Sequence, residues 1–247
     1  MTAASRKSLN ASMRVAQSLG RDVDRLEFNT PSHVYNPLRY AWPAFGQYLQ
    51  RYGVGRGRVL LLGMNPGPWG MAQTGVPFGE VRMVRDWLRI EAPLRLPLLP
   101  DQHPKYPIRG FDCPRSEGSG SRFWGWTQQR FGSPENFFER FFVWNYCPLL
   151  FLADGRNLIP GKLRVAEAAP LLTACDKALT ALLRAIEPSA VVGIGRYAEA
   201  RAWAVAGKQL PIGFLPHPSP ANPAANRNWP ALAEAALAPW MKSRPAR

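Results

Sequence analysis

Apolar residues follow two different periods along this chain. Val15, Leu19 and Val23 recur at helical spacing and predict an amphipathic helix from about Leu9 to Phe28. Four short runs are instead almost wholly apolar, as expected of strands that are buried on both faces of a sheet. These runs lie at residues 58–63, 141–147, 190–195 and 212–215.

Segments with helical spacing separate the apolar runs, and residues 34–38 are predicted to be extended. Further helices are predicted at residues 44–52, 80–90, 121–131, 134–140, 166–186, 197–206 and 228–241. Strands that alternate with helices indicate the α/β class, with a parallel sheet covered on both faces. Residues 91–120 are rich in Pro, Gly and charge, and they are predicted to form a long surface excursion.

The length of 247 residues suits one domain with a good-sized core, and no linker or internal repeat divides the chain. A single domain is therefore expected over residues 1–247. Its ends, residues 1–7 and 243–247, are expected to be frayed.

The chain is strongly basic, because 31 Lys and Arg against 17 Asp and Glu give a net charge of +14. Such a surplus favours a polyanionic partner, since each neutralised phosphate releases counterions. The alternative is that the proteins of the source organism are generally basic, in which case the charge indicates no nucleic-acid role.

The number of cysteines and the hydropathy of the chain indicate the cellular compartment in which the protein is expected. The chain has three cysteines and no CxxC spacing, which excludes a disulfide framework and makes a zinc or iron–sulfur site unexpected; they are Cys113, Cys147 and Cys175. Reducing compartments are typical of such usage. With no secretory or membrane-spanning stretch, the expected location is intracellular: the cytoplasm or nucleoid of a bacterium, or the nucleus of a eukaryote.

The stretch that follows the first apolar run is unlike a regular core element. It reads GMNPGPWGMAQTGVPFGE from Gly63 to Glu80 and contains five Gly and three Pro. The backbone of Gly is too flexible for a regular helix or strand, and Pro has no backbone N–H to donate. The segment is therefore predicted to be a loop of defined shape at a strand end. Ligands of open α/β sheets bind outside such strand ends, and a loop this long is more often a site than a connector.

Three polar residues stand at predicted strand ends: Asn65, Asn145 and His217. The ends of parallel strands can lie along one edge of the sheet, so these side chains form a candidate site. A fixed histidine can donate a hydrogen bond to a developing anion, and an asparagine amide carries the donor and acceptor that match O4 and N3–H of uracil. Structural roles stay open: a structural histidine, a buried amide that serves loop backbone, and an Asx turn at Asn65.

The chemistry expected of Asn65 is the holding of a water molecule by its carbonyl oxygen. No carboxylate is predicted at or beside this strand end. The expected hydrolysis is therefore one in which the leaving group departs before water attacks a cationic sugar. Phe78, in the same loop, is either a stacking platform for a planar ring or an ordinary core residue.

A second loop follows the last predicted strand and reads HPSPANPAANRNW from His217 to Trp229. Its backbone amides, Ser219 and Arg227 are candidates for phosphate contacts, and small rigid loops can wedge into a duplex while a base is turned out. The alternative is a surface loop that caps the last helix through Asn226 or Asn228.

These motifs resemble those of the single-strand-selective monofunctional uracil-DNA glycosylases, within the uracil-DNA glycosylase superfamily. The resemblance rests on the loop at residues 63–80, on WNYCPL at residues 144–149 and on the loop at residues 217–229, and it extends from about Tyr35 to Trp229. It implies a three-layer α/β/α sandwich around a four-stranded parallel sheet. It also implies an enzyme without metal or cofactor that excises uracil and some oxidised pyrimidines from DNA.

The resemblance implies a role for each site residue. Asn65 and His217 would be catalytic: the first would place the attacking water, and the second would stabilise negative charge on uracil O2. Asn145 would recognise the edge of the base, Phe78 would stack on it, and the backbone around Met64 would help to bind it.

Substrate breadth and DNA contacts are implied by the same comparison of motifs. Gly67 would leave space beside C5 of the base, where stricter relatives place a bulky aromatic residue that collides with a methyl group. That space is compatible with 5-hydroxymethyluracil. The DNA-binding residues would be Ser219, Pro220, Ala221, Asn222 and Arg227. Vertebrate members carry Arg at the position of Ala221, so weaker penetration of a duplex is expected.

The leading hypothesis is a monomeric, monofunctional DNA glycosylase of base excision repair that acts on single- and double-stranded DNA and has no membrane role. No Lys stands in the three motifs, so a Schiff-base lyase step is not expected. One alternative is a catalytically silent nucleic-acid-binding protein of the same fold. Another is a hydrolase of small nucleosides, which the charge of +14 disfavours.

Overall fold

The computed structural model describes residues 10–96 and 101–241. Within them the strands are β1 His33–Tyr35, β2 Val59–Gly63, β3 Phe141–Asn145, β4 Leu150–Ala153, β5 Arg156–Leu158, β6 Ala190–Ile194 and β7 Ile212–Leu215. The α-helices are α1 Ala11–Val23, α2 Pro37–Tyr40, α3 Trp42–Tyr52, α4 Met71–Thr74, α5 Gly118–Phe131, α6 Pro134–Phe138, α7 Val165–Ile186, α8 Arg196–Ala206 and α9 Pro223–Met241. The predicted frayed ends, residues 1–7 and 243–247, lie outside the described residues.

Four parallel strands form the central sheet, in the spatial order β3-β2-β6-β7. Every residue of β2, β3 and β6 is buried, so both faces of the sheet are covered. At the carboxyl edge, Gly63 pairs with Asn145 and Ile194 pairs with Leu215. The predicted three-layer α/β/α sandwich with a four-stranded parallel sheet is confirmed.

The predicted elements do not include a second, antiparallel sheet, in which β4 lies between β1 and β5. A two-residue turn joins β4 to β5, and both its residues, Asp154 and Gly155, have positive φ. This is the geometry that an Asp-Gly pair favours in a tight hairpin. The extended stretch predicted at residues 34–38 covers Val34 and Tyr35 of β1, but Pro37 instead begins α2. The pairing of β1 with β4, which is far away in the chain, gave no local signal.

Several predicted helices differ at their ends. α1 ends at Val23 rather than Phe28, where the Gly20 carbonyl accepts hydrogen bonds from Asp24 N and Asn36 Nδ2. The helix predicted at residues 80–90 contains a π-helical turn, Met83–Trp87. α9 begins before its predicted start and bends at Asn228, where φ is −163°. Among the helices of the described ranges, none is both long and apolar enough to cross a membrane.

The predicted surface excursion at residues 91–120 is partly buried, and its residues 97–100 lie outside the described ranges. Tyr106 and Ile108 join an apolar cluster with Tyr35 of β1 and Leu150 of β4. The Tyr35 hydroxyl donates to the Tyr106 carbonyl at 3.2 Å. The segment therefore packs on the small sheet, and its last residues run into α5, which begins at Gly118 rather than Ser121.

Candidate active site

A cavity of about 410 Å³ opens at the carboxyl edge of the central sheet. Its wall contains all three polar residues that were predicted at strand ends: Asn65, Asn145 and His217. The other predicted residues in the wall are Met64, Gly67, Phe78, Ser219, Ala221 and Asn222. We call this feature the strand-end cavity. Its size is within the range of roughly 300–1,000 Å³ that small-ligand sites occupy.

Two of the predicted DNA-contacting residues do not line this cavity. Pro220 and Arg227 are both exposed on the loop after β7. Pro220 lies against the start of α5, since a Cβ atom on Gly118 would be 2.8 Å from its Cγ. Both residues are therefore placed for contacts outside the cavity mouth.

Asn145 lines the cavity and carries an unsatisfied acceptor. The residue is 5 % exposed, and its Nδ2 donates to the sulfur of Met71 at 3.1 Å. Its Oδ1 is buried and has no hydrogen-bond partner among the described residues. An unpaired buried oxygen costs roughly 1–3 kcal/mol, so it marks a position where a ligand with a donor gains affinity.

Gly63 makes room for this arrangement at the end of β2. A Cβ atom there would collide with Oδ1 of Asn145 and would lie 2.9 Å from Cε2 of Phe78. Only glycine leaves that space. The absence of a side chain at residue 63 thus lets the amide and the aromatic ring meet above the strand end.

Phe78 combines both hypotheses made for it, because it packs on the core and also lines the cavity. Its ring stacks on Phe123 with 5.0 Å between centroids and 23° between planes, and the ring of His217 is 5.9 Å away. The backbone of Phe78 is in the left-handed region, with φ of 54°, which costs a side-chain-bearing residue about 1 kcal/mol. The surrounding packing holds the ring in place despite that cost.

The loop after β7 fixes the protonation of His217. The backbone N–H of Ser219 donates to Nδ1 at 3.1 Å, so the proton of the neutral ring is on Nε2. Part of the residue stays open to the cavity, but protein atoms enclose most of the ring, and this desolvation lowers the pKa of His217 to about 4. At neutral pH the imidazole is therefore an uncharged donor.

Asn65 is oriented by the chain segment that follows β3. Its Nδ2 donates to the carbonyl of Leu149 at 3.2 Å. The neighbouring Met64 carbonyl accepts from the N–H of Cys147 at 2.8 Å, which ties the same two segments together. With its nitrogen engaged, Asn65 has Oδ1 left to accept a hydrogen bond from a water or a ligand.

The prediction that no carboxylate stands beside this strand end is wrong. Glu117, the residue before α5, lines the strand-end cavity, and a Cβ atom on Gly67 would lie 2.9 Å from its Cδ. Burial raises the pKa of the Glu117 carboxyl, although hydrogen bonds from the backbone of Trp69 and Ser119 oppose this. The space expected beside Gly67 therefore faces a carboxyl group that is distant in sequence and carries no local motif.

Further wall residues were also missed from the sequence. They are Pro68, Met71, Ser119, Asn157 and Ile159. Asn157 belongs to β5 and Ile159 follows it, so the unpredicted hairpin supplies one side of the cavity. The Asp-Gly turn was the available signal for that hairpin.

Hydrogen bonds hold the loop after β7 in one shape. Asn222 Nδ2 donates to the carbonyl of His217 at 2.9 Å. From α5, Arg122 donates to the carbonyl of Pro218 at 2.9 Å and to Oδ1 of Asn226 at 3.1 Å. The wall that carries His217 is therefore preorganised.

The alternative prediction, that this loop caps the last helix through Asn226 or Asn228, is confirmed for Asn228 only. Asn228 Oδ1 accepts from the N–H of Ala231 at 3.2 Å and caps the part of α9 that follows the bend. Asn226 instead donates to the carbonyl of Pro220 at 2.7 Å. The loop both begins a helix and walls the cavity.

Comparisons with known proteins found similar sequences and a similar fold. The family model described as the uracil DNA glycosylase superfamily matches residues 50–239. The single-strand selective monofunctional uracil DNA glycosylase of Bos taurus is 50% identical over 208 residues, which are 83% of this chain and 76% of the relative. The same enzyme of Mus musculus is 48% identical over 224 residues, or 89% and 80% of the two chains.

A solved structure gives the same architecture. Wild-type SMUG2 of Pedobacter heparinus has a TM-score of 0.63 to this chain at 16% identity, over 92% of this chain and 97% of that one. At this identity the likeness supports the fold alone.

Proposed function

Since this chain belongs to the uracil-DNA glycosylase superfamily, we propose that it is a monofunctional DNA glycosylase of base excision repair. It hydrolyses the N-glycosidic bond of deoxyuridine in DNA and leaves an abasic site. The observation that carries the proposal is the unpaired, buried Oδ1 of Asn145, which shares a cavity with a neutral His217 and an oriented Asn65.

The amide of Asn145 matches uracil and mismatches cytosine. Oδ1 accepts from N3–H of uracil, and Nδ2, which lies next to the weakly accepting sulfur of Met71, donates to O4. Cytosine has an acceptor at N3 and an amino group at C4, so it would place an acceptor against Oδ1 and a donor against Nδ2. The ring of Phe78 provides a surface on which the flipped base stacks.

His217 stabilises the leaving base. When the bond between C1′ and N1 breaks, the electron pair stays on uracil and the sugar becomes cationic. Nε2–H of His217 donates a hydrogen bond to O2, where negative charge accumulates. Because the ring is neutral, it acts as a fixed dipole and transfers no proton.

Asn65 positions the water that completes the reaction. Its free Oδ1 accepts one hydrogen bond from the water, which then adds to C1′ and releases a proton to solvent, from which the departed uracil anion takes one up. The cationic sugar is electrophilic enough for neutral water, so Asn65 needs no basicity. DNA is the substrate, and we propose that the enzyme acts as a monomer on both single and double strands.

The central test is abasic-site formation on a uracil-containing oligonucleotide under single-turnover conditions. Asn65→Ala and His217→Leu are each expected to slow uracil release by roughly 10²–10³-fold, the usual scale for one preorganised stabiliser. His103→Leu is the matched control, because His103 does not line the cavity, and it is expected to retain the native rate.

Three outcomes would contradict the proposal. Full activity in both cavity variants would remove the assigned roles. An inactive native chain that still binds the oligonucleotide would favour the catalytically silent alternative. Faster hydrolysis of free deoxyuridine than of the oligonucleotide would favour the nucleoside hydrolase.

A further inference from the structure

The proposed binding mode, on which this inference rests, fixes where C5 of the base lies. His217 takes O2, and Asn145 takes N3–H and O4. Around a pyrimidine ring, C5 follows C4 and stands across from C2. C5 therefore lies on the Asn145 side of the strand-end cavity, away from His217.

Gly67 and Glu117 form part of the wall on that side. The order of strands in the sheet separates β7, which leads to His217, from β2 by one strand, whereas β2 is adjacent to β3 and Asn145. Gly67 follows β2, and its missing side chain admits the carboxyl group of Glu117. The carboxyl group of Glu117 therefore lies beside Gly67, on the side of the cavity to which the proposed binding mode assigns C5.

Glu117 has acceptor capacity left for such a substituent. Its Oε2 accepts from the N–H of Trp69 at the long distance of 3.4 Å, and the backbone of Ser119 also donates to the carboxyl group. No Lys, Arg or His forms a salt bridge with Glu117 within the described part of the chain. Whether ionised or protonated, the carboxyl group keeps acceptor capacity for a donor that enters the cavity.

We propose that Glu117 is a specificity-determining residue that selects pyrimidines by the group on C5. The hydroxyl of a 5-hydroxymethyl group donates to the Glu117 carboxyl and so replaces the hydration that the base displaces. The methyl group of thymine would desolvate the same carboxyl and offer no donor, which is unfavourable. A polar group at this position would therefore exclude thymine without a bulky side chain, and it would still admit 5-hydroxymethyluracil.

Two substitutions of similar length separate the hydrogen bond from shape. Glu117→Gln keeps an acceptor oxygen, and Glu117→Met removes it. The readout is kcat/KM on three oligonucleotides that carry uracil, 5-hydroxymethyluracil or thymine opposite guanine. Glu117→Met is expected to lower the ratio of 5-hydroxymethyluracil to uracil about tenfold and to raise the ratio of thymine to uracil. Glu117→Gln is expected to keep the first ratio within about threefold of the native value.

The control variant is Glu139→Met, which changes an exposed glutamate outside the cavity and is expected to leave both ratios unchanged. If Glu117 only supports the loop at Trp69, both Glu117 variants will slow all three substrates equally, and unchanged ratios would overturn the proposal. Thermal unfolding of each variant shows whether the fold is retained. A native enzyme that releases no uracil would instead refute the proposed function itself.

Discussion

In the proposed mechanism His217 is an uncharged donor, because its surroundings disfavour the charged form of the ring. Desolvation lowers the pKa of the ring to about 4, and Ser219 occupies Nδ1, so a proton on Nε2 is present at neutral pH without uptake from solvent. An imidazolium would attract the leaving base more strongly, but an enclosed wall destabilises that charge. In the proposed mechanism, the fixed position of the ring therefore contributes more to stabilising the leaving base than its basicity does.

The shifted pKa of His217 predicts how stability depends on pH. The unfolded chain binds a proton at this residue below pH of about 6.5, but the folded ring does so only near pH 4. Stability is thus lost as the pH falls through this window, by about 3 kcal/mol. Chemical denaturation at pH 7 and pH 4 is expected to show that the native chain loses about this much more than His217→Asn. Equal losses in the two proteins would contradict the shift.

The sequence predicted nine of the fifteen residues that line the cavity and missed six, among them the carboxyl group of Glu117. Asn65, Asn145 and His217 could be found because each stands at the end of an apolar run, and such ends meet at one edge of a parallel sheet. Glu117 could not, because its place in the wall depends on the missing side chain of Gly67. Contacts between distant loops leave no periodic signal.

At the level of elements, the loop after β7, which we propose to contact DNA, carries a small side chain at the cavity mouth. Ala221 is exposed and lines the cavity mouth, while hydrogen bonds from Arg122 and Asn222 hold the loop behind it. A methyl group fills little of the space that a flipped base leaves in a duplex. The loop is therefore rigid, but its side chain at residue 221 is too short to push far into a duplex. We expect such a loop to act more readily on DNA that is already single-stranded.

Lengthening that side chain is expected to improve action on duplex DNA. In Ala221→Arg, the guanidinium can enter the vacated stack or contact a phosphate, so uracil release from double strands should rise about threefold to tenfold relative to single strands. The matched control is Ala224→Arg, which adds the same charge at an exposed position that does not line the cavity. Equal effects of the two variants would assign the gain to charge alone.

The elements that could be predicted are those with a complete local signal. β2, β3 and β6 are buried at every position and appear in the sequence as unbroken apolar runs. β1 and β5 have three residues each, and their strand character comes from pairing with β4. The bend in α9 at Asn228 likewise lies inside a segment of ordinary helical pattern.

At the scale of the whole molecule, the net charge is +14. Some of the positively charged side chains line a groove of about 550 Å³ next to the strand-end cavity. Arg82, Arg85 and Arg115 line it together with Ser116 and Ser121, and the first turn of α5 separates it from the cavity. Arg85 pairs with Asp86, which leaves Arg82 and Arg115 as the stronger candidates for phosphate contacts.

The dependence of DNA binding on salt tests this distribution of charge. Affinity for uracil-free duplex DNA is expected to fall steeply as salt rises, because bound phosphates release counterions. The double variant Arg82→Ala, Arg115→Ala should reduce the slope of log K against log salt by about 2, or ~1 for each lost contact. Arg184→Ala, near the opposite edge of the sheet, should leave the slope unchanged. A native slope near zero would argue against phosphate binding altogether.

The α/β class, with a parallel sheet covered on both faces, followed from the alternation of strands and helices, which is a property of the entire chain. The four-stranded sandwich followed from the family resemblance. The small sheet did not, and it changes one side of the cavity through Asn157 and Ile159. The single domain, the monomeric state and the intracellular location stay predictions.

Recognition by Asn145 also bears on how the reaction ends. The oxygen that lacks a partner in the protein gains one when a base arrives, and uracil offers the same N3–H before and after its bond to the sugar is cut. In the proposed binding mode, the feature that admits the base therefore also retards its departure. We expect slow release of uracil from the end of β3, and Asn145→Leu would remove the unpaired oxygen together with the group that holds uracil.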